Sequence, residues 1–489
     1  MPTSKVFSGV IWASVQRFGT MIISFVTNIV LARLLTPDDF GTIGMLLLFL
    51  AIANTFVDSG FGSALIQKKD ADQTDFSTVF FINLGLSFVV YAILFFGAPW
   101  VANFYDVEIL NPLLRVQGLI LIIQAFSIIQ TSLLRKRMDF KRLSVCNLIG
   151  NIVGSVLGIV AALMGYGVWS LVIRTLVVGA VTTLLLWIVS HWRPIACFSK
   201  QSFKELFGFG GFMLLSSLVY SFSNNIQSLV IGKLFKPSDL GNYTQAKQLR
   251  NIATDSASSV ISQVLFPEFS NNQGDNTVLS NKLNLSVSII SFLTVGLMAL
   301  LIIVAKPLVL LLYGSQWVDS VLIFQWLCSA GCFYALQDVN INLTIAKGYS
   351  KIIFICNAIS VMLYILAMYI GARLNGVIGL VIASVIYSIV LYFFFSALAS
   401  YFLKEKPIRQ YTLILKSILS VIIPSFLTII INKYLLNNAL NVIVVIVDTI
   451  VLFSSYWIIC MKTRNAGCLY INSKMRELLS FKKVIKNNN

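Results

Sequence analysis

Fourteen apolar stretches, each long enough to cross a bilayer, follow one another along this chain, near residues 6–33, 40–62, 76–98, 111–134, 144–164, 167–190, 206–232, 240–266, 283–305, 317–345, 352–372, 376–402, 411–432 and 439–461. In hydrocarbon, a lone segment satisfies its backbone N–H and C=O groups only by coiling on itself, so each stretch is predicted to be a helix. Composition agrees, with 57% hydrophobic residues, 11% charged and a mean hydropathy of +0.86. The expected fold class is an all-α polytopic membrane protein with about 14 transmembrane helices. The longest piece between or beyond the spans is the tail after Cys460, so the sequence offers no soluble catalytic domain.

A duplication organises the spans. IVLARLLTPDDFG at 29–41 returns as LVIGKLFKPSDLG at 229–241, with Val30/Val230, Leu34/Leu234, Pro37/Pro237, Asp39/Asp239 and Gly41/Gly241 identical. Pro99/Pro307, SVCNLIG (144–150) with FICNAIS (354–360), and GVWSLVI (167–173) with GVIGLVI (376–382) keep nearly the same register. Each copy holds six spans. An even number brings the chain back to its starting side, so the repeats are expected to be parallel, related by a pseudo-two-fold axis along the membrane normal. The expected division is 1–200 (spans 1–6), 201–403 (spans 7–12) and 404–489 (two further helices and a basic tail).

The formal charge of +17 has a topological reading. With the N-terminus inside, outward loops hold six cations (Arg33, Lys233, Lys236, Lys306, Arg373, Lys433) and spans another six, leaving 24 of the 36 Lys and Arg on the cytoplasmic side. That bias predicts both termini in the cytoplasm. The first apolar segment lacks a small-residue cleavage site and reads as a retained span. The basic tail is expected to lie on anionic headgroups rather than bind nucleic acid. The seven cysteines sit mostly inside spans, where small apolar fillers are favoured over a metal or redox site, and His191 reads as interfacial.

Polar residues recur at helical spacing where lipid would penalise them. Arg17, Thr20, Ser24 and Thr27 share one face of the first span, and Ser217, Tyr220, Asn224 and Gln227 repeat those steps in the seventh. The eighth span carries Lys247, Arg250, Asn251, Thr254, Asp255 and Ser258, the fourth Gln124, and the sixth Arg174. A central cation costs about 2.5–3.5 kcal/mol to insert, so these groups need a purpose or a partner. One reading pairs them with Asp58, Asp255 or Asp338. The favoured reading makes Arg17, Arg174, Lys247 and Arg250 the lining of a cationic, water-accessible cavity at the lobe interface. Ser24, Gln124, Asn224, Gln227, Asn251 and Asp255 are its polar complement. Asp448 stands alone in IVVIVDTIVLF; pairing with Lys416 or a water defect at the lipid face is expected, with a protonatable coupling site as the alternative.

Several segments in order resemble the Wzx-type polysaccharide flippases of the MOP superfamily, in the colanic-acid and teichuronic-acid exporter branch. They are GVIWASVQRFG (9–19), LARLLTPDDFG (31–41), DSGFGSALIQ (58–67), LLRKRMDFKRL (133–143) and VLFPEFS (264–270). The resemblance implies two six-helix lobes beside a central cavity. It also implies carriage of an undecaprenyl-pyrophosphate-linked oligosaccharide across the bacterial inner membrane by alternating access. The implied partners are that lipid-linked oligosaccharide, membrane lipids and the polysaccharide polymerase machinery. No catalytic residue, metal or cofactor is expected. Gly232-Lys233 is followed by Leu234, which is no phosphate-binding loop.

Rival readings differ in charge. A multidrug antiporter of the same superfamily usually places a carboxylate in its first helix, where this chain has Arg17. A lipid II flippase handles a similar pyrophosphate and is separated only by the motif resemblance. A membrane glycosyltransferase, polymerase or acyltransferase needs acid–base residues on substantial outer loops, and the loops here are short.

Overall fold

The computed structural model describes the backbone of residues 3–58, 61–68, 70–435 and 439–487, and their side chains except those of 3–6, 61, 63, 201–213, 216, 255–264, 435 and 478–487. Two compact units divide at Gly241/Asn242. This division by packing is a different property from the repeat boundary expected near residue 201.

The first unit contains α1 (Thr3–Leu34), α2 (Pro37–Asp58), α3 (Phe61–Gln67), α4 (Gln73–Tyr105), α5 (Leu110–Gln117), α6 (Leu119–Lys136), α7 (Phe140–Leu163), α8 (Trp169–Ser190) and α9 (Lys200–Leu234). The duplicated segment turns out to be a helix start. Pro37 opens α2, where its missing N–H costs nothing, and Asp39 accepts from the backbone N–H and hydroxyl of Thr36 at 2.9 and 2.8 Å. In the second copy Asp239 accepts from the Lys236 N–H at 3.2 Å. The paired glycines explain themselves by position. A Cβ on Gly41 would overlap the Pro237 carbonyl, and one on Gly241 would overlap that of Pro37. The two copies therefore touch backbone to backbone, each by the same surface.

Close approach also fixes α7 against α8. Gly150, Gly154 and Gly158 recur every fourth residue on α7, and a Cβ on Gly154 would stand 2.9 Å from the Val178 nitrogen and 3.0 Å from the Arg174 carbonyl oxygen. Small residues at this spacing let two membrane helices meet through their backbones. On its other side α7 receives α1. Ser144 donates to the Trp12 carbonyl at 2.8 Å, and Gly9 and Gly19 lie against Phe140 and Leu148. The segment after α8 is pinned rather than loose. His191 caps α8 in a left-handed conformation, the Trp192 indole donates to Gln73 at 2.6 Å, and the Ile195 and Ser199 N–H groups donate to Ser77 and Thr78.

The second unit contains α10 (Pro237–Ser270, begun just before the division), α11 (Asn276–Ile303), α12 (Ala305–Leu312), α13 (Ser320–Ala346), α14 (Ser350–Leu403), α15 (Ile408–Leu435), α16 (Asn441–Lys462) and α17 (Ala466–Asn487). One of its cores gathers Leu283, Val287, Leu336, Val339, Tyr392 and Ala399 from α11, α13 and α14. The α14 range holds two helices that meet at Asn375 and Gly376, where the backbone leaves helical geometry and the chain doubles back. Gly371 packs on the Gly379 backbone, Tyr364 meets Tyr387 at 4.9 Å, and Tyr349 stacks on Phe402 at 3.8 Å. Gly376, at φ 56°, is the residue that makes this reversal possible.

Among the described residues eleven helical segments are long and apolar enough to span a bilayer, with the α14 hairpin taken as one and α5 with α6 as one. The fourth span runs from Leu110 to Lys136, and Gly118, where α5 gives way to α6, keeps right-handed helical backbone with the Tyr91 ring in the space a side chain would fill. One expectation needs correction. The tail is not wholly a surface element. Asn465 accepts from the Gly467 and Cys468 N–H groups and donates to Ser417 at 3.1 Å, while the Gly467 N–H also donates to Ser288 at 2.8 Å. Burial of Cys468 at the start of α17 pushes its thiol up to about 11.

Candidate functional site

In the second unit the polar stripe of α10 meets a cluster of tyrosines. Steps of four, three and four residues put Tyr243, Lys247, Arg250 and Thr254 on one helical face. Arg250 is only 8% exposed, and its guanidinium lies 5.0 Å from the centre of the Tyr334 ring, contributed by α13. Tyr243, Tyr364 of α14 and the Cys328 thiol are within electrostatic reach of that charge. The Lys247 ammonium lies 5.7 Å from the Tyr243 ring.

An aromatic face attracts a guanidinium without cancelling its charge, and a desolvated contact of this kind is worth ~2 kcal/mol. Stacking occupies the flat face of the group and leaves its N–H edge for hydrogen bonds. The Arg250 Nε is buried and makes no hydrogen bond. A buried donor of this kind is costly to leave unmet, and an anion oxygen would satisfy it.

The other expected residues are distributed as follows. Arg17 is exposed on α1, because α7 covers the neighbouring Gly9–Trp12–Gln16–Gly19 face. Ser24 is half-buried on the same helix. Arg174 is half-buried on α8, its backbone nested on the glycines of α7, and Gln124 is exposed on α6, which packs on α8. On α9, Asn224 is exposed and Gln227 buried, and a Thr55–Ser221 hydroxyl contact at 2.8 Å ties that helix to α2. Asn251 is half-buried beside Arg250, while the Asp255 side chain lies outside the described residues. The structure thus brings Lys247, Arg250 and Asn251 together in the second unit and holds Arg17, Ser24, Gln124, Arg174, Asn224 and Gln227 in the first.

The tyrosines escaped notice in the sequence because an aromatic residue in an apolar span looks like a core filler. Tyr243 alone carried a signal, one turn before Lys247 on the polar face. The expected partner of Asp448 also proves different. Lys416 donates to the Arg464 carbonyl at 3.0 Å, and Asp448, fully buried, accepts from Asn432 at 2.9 Å.

Among the described residues, helices long and apolar enough to cross a membrane accompany a buried cation set against an aromatic ring. The profile of the polysaccharide biosynthesis protein family matches residues 30–322, and the chain belongs to that family. It is 26% identical over 404 residues to the teichuronic acid biosynthesis protein TuaB of Bacillus subtilis, covering 82% of this chain and 84% of that one. It is 24% identical over 432 residues to the lipopolysaccharide biosynthesis protein WzxC of Escherichia coli, covering 87% and 86%. The succinoglycan biosynthesis transport protein ExoT of Rhizobium meliloti is 30% identical over 306 residues, 63% of this chain and 62% of its own. Among solved structures, a lipid II flippase MurJ in an inward closed conformation superposes with a TM-score of 0.75 at 16% identity, covering 93% of this chain and 99% of that one. An inward-facing multidrug transporter of the MATE family gives 0.64 at 16% identity, covering 81% and 99%. The chain shares its fold with these two structures.

Proposed function

We propose that this protein is a flippase that carries an undecaprenyl-pyrophosphate-linked oligosaccharide from the cytoplasmic to the outer leaflet of the bacterial inner membrane. Alternating access supplies the mechanism, with the 1–200 and 201–403 repeats moving against each other and the 404–489 region accompanying them. The observation that carries the reading is Arg250, a desolvated cation with an unmet N–H inside a membrane unit. A pyrophosphate crossing hydrocarbon needs such a counter-charge. Arg17, Arg174 and Lys247 add positive charge along the route. Ser24, Gln124, Asn224, Gln227 and Asn251 replace water around sugar hydroxyls. The isoprenoid tail stays in lipid, and the polymerase machinery receives the delivered head.

The test is export in a cell lacking its own flippase. Arg250→Ala is expected to lower surface saccharide at least about tenfold, equivalent to about 1.4 kcal/mol, with membrane levels near those of the wild type. Full export by this variant would remove the basis of the proposal. Orientation is tested separately by single-cysteine labelling, which is expected to find positions 136 and 282 inside and 236 outside. The reverse pattern would overturn the placement of both termini in the cytoplasm.

A further inference from the structure

Asp448 lies seven residues into α16, about 10 Å from the start of that helix at 1.5 Å per residue. It is 0% exposed, with Leu452 one turn on in an apolar cluster with Leu300 and Val304. Its Oδ2 accepts from the Asn432 amide of α15 at 2.9 Å, while its Oδ1 has no partner. The Oδ1 of that same Asn432 amide is also buried without a partner. Two acceptors left over on two groups that already face each other are one donor short. Burial of a carboxylate with a single neutral hydrogen bond is also strongly unfavourable.

We propose that Asp448 is a proton-binding site: its carboxyl is held as the neutral acid and donates from Oδ1 to Asn432 Oδ1. Together with the existing amide bond, this closes a two-hydrogen-bond ring between α15 and α16. One added proton satisfies both stranded oxygens. Among the described residues, no cation on the elements packed against α16 forms an ion pair with Asp448. On α12, Lys306 is exposed; on α15, Lys433 is exposed with its ammonium 5.7 Å from the Tyr434 ring. Lys416 is committed to the Arg464 carbonyl. On α11, Lys282 pairs with Glu268 near the opposite end of the unit, and on α17 Cys468 and Tyr470 lie near that same end. On α16 itself Tyr456 donates to the Phe292 carbonyl at 3.1 Å, and Cys460 and Lys462 follow it toward that end. A movement that parts α15 from α16 would admit water and release the proton, which makes this pair a coupling site remote from Arg250.

The site stands independently of the cargo, so its test needs no transport. Infrared spectra of the full chain in lipid nanodiscs at pH 8 are expected to contain a deuterium-sensitive carboxylic-acid carbonyl band. Carbon-13 labelling of aspartate should move the band, and Asp448→Asn, which preserves the ring as an amide pair, should remove it. Asn432→Leu should shift it as the hydrogen bonds are lost. A spectrum in which neither aspartate labelling nor Asp448→Asn alters such a band would mean that Asp448 is ionised, and the proposal would fall.

Discussion

The two units keep their cations in opposite ways. In the first, α1, α7 and α8 meet through Gly9, Gly19, Gly150, Gly154 and Gly158, and Arg17 is left on the exposed side of that packing. In the second, Arg250 of α10 is buried against the Tyr334 ring of α13, with Tyr243 and, from α14, Tyr364 within electrostatic reach. Glycine lets helices approach until no room remains for a side chain. Tyrosine holds them apart around a charge and gives that charge a face to rest on. The lesson is that the location of a cation in a span does not set its role; the size of the residues facing it does.

The comparison breaks most visibly at the glycines. Gly154→Leu is expected to cost about 3 kcal/mol or more by overpacking, read as loss of folded protein in detergent. Gly85→Leu, where an added Cβ meets nothing within 4 Å, should leave stability unchanged. Equal losses at both positions would show that close backbone approach does not hold the first unit together. A smaller effect separates the two arginines. Arg250→Gln should impair export more than Arg17→Gln by at least about tenfold, because only the buried charge is desolvated. Matching defects in an export assay would erase the distinction drawn here.

The smallest effect lies at a helix end remote from both cations. Asp275 caps α11, and hydrogen bonds from the Val278 and Thr277 N–H groups hold its carboxyl below the usual carboxylate range. Its contribution is therefore present above the ordinary carboxylate value of about 3.9 and fades as pH falls through the lowered folded value. The protection factors of the Thr277 and Val278 amides, measured against intrinsic exchange at each pH, should fall over that acidic window and stay flat across it in Asp275→Asn. An unchanged profile in the variant would assign the protection to helix packing alone.

Much of the fold was legible because hydrocarbon enforces a one-dimensional rule: long apolar runs become helices, and Pro37, Asp39 and Gly41 with their second copies announce a repeated helix start. Half of the candidate site could be read as well. Arg250 and Lys247 stood out as charges that lipid rejects, whereas Tyr334 and Tyr364 looked like filler, being distant in the chain and apolar in pattern. Asp448 shows the same limit. Its isolation was plain in IVVIVDTIVLF, but its partner was sought among cations and found in the amide of Asn432.

By itself, then, the sequence determined the membrane class, the duplicated helix start and the presence of charges that demand a polar setting, because those follow from transfer between water and hydrocarbon. Only the tertiary structure decided which of those charges is buried, which rings support it and which oxygens are left facing each other without a donor. Such pairings depend on helix rotation and on distances across the bundle, and the periodicity of a single helix carries no record of what stands opposite it.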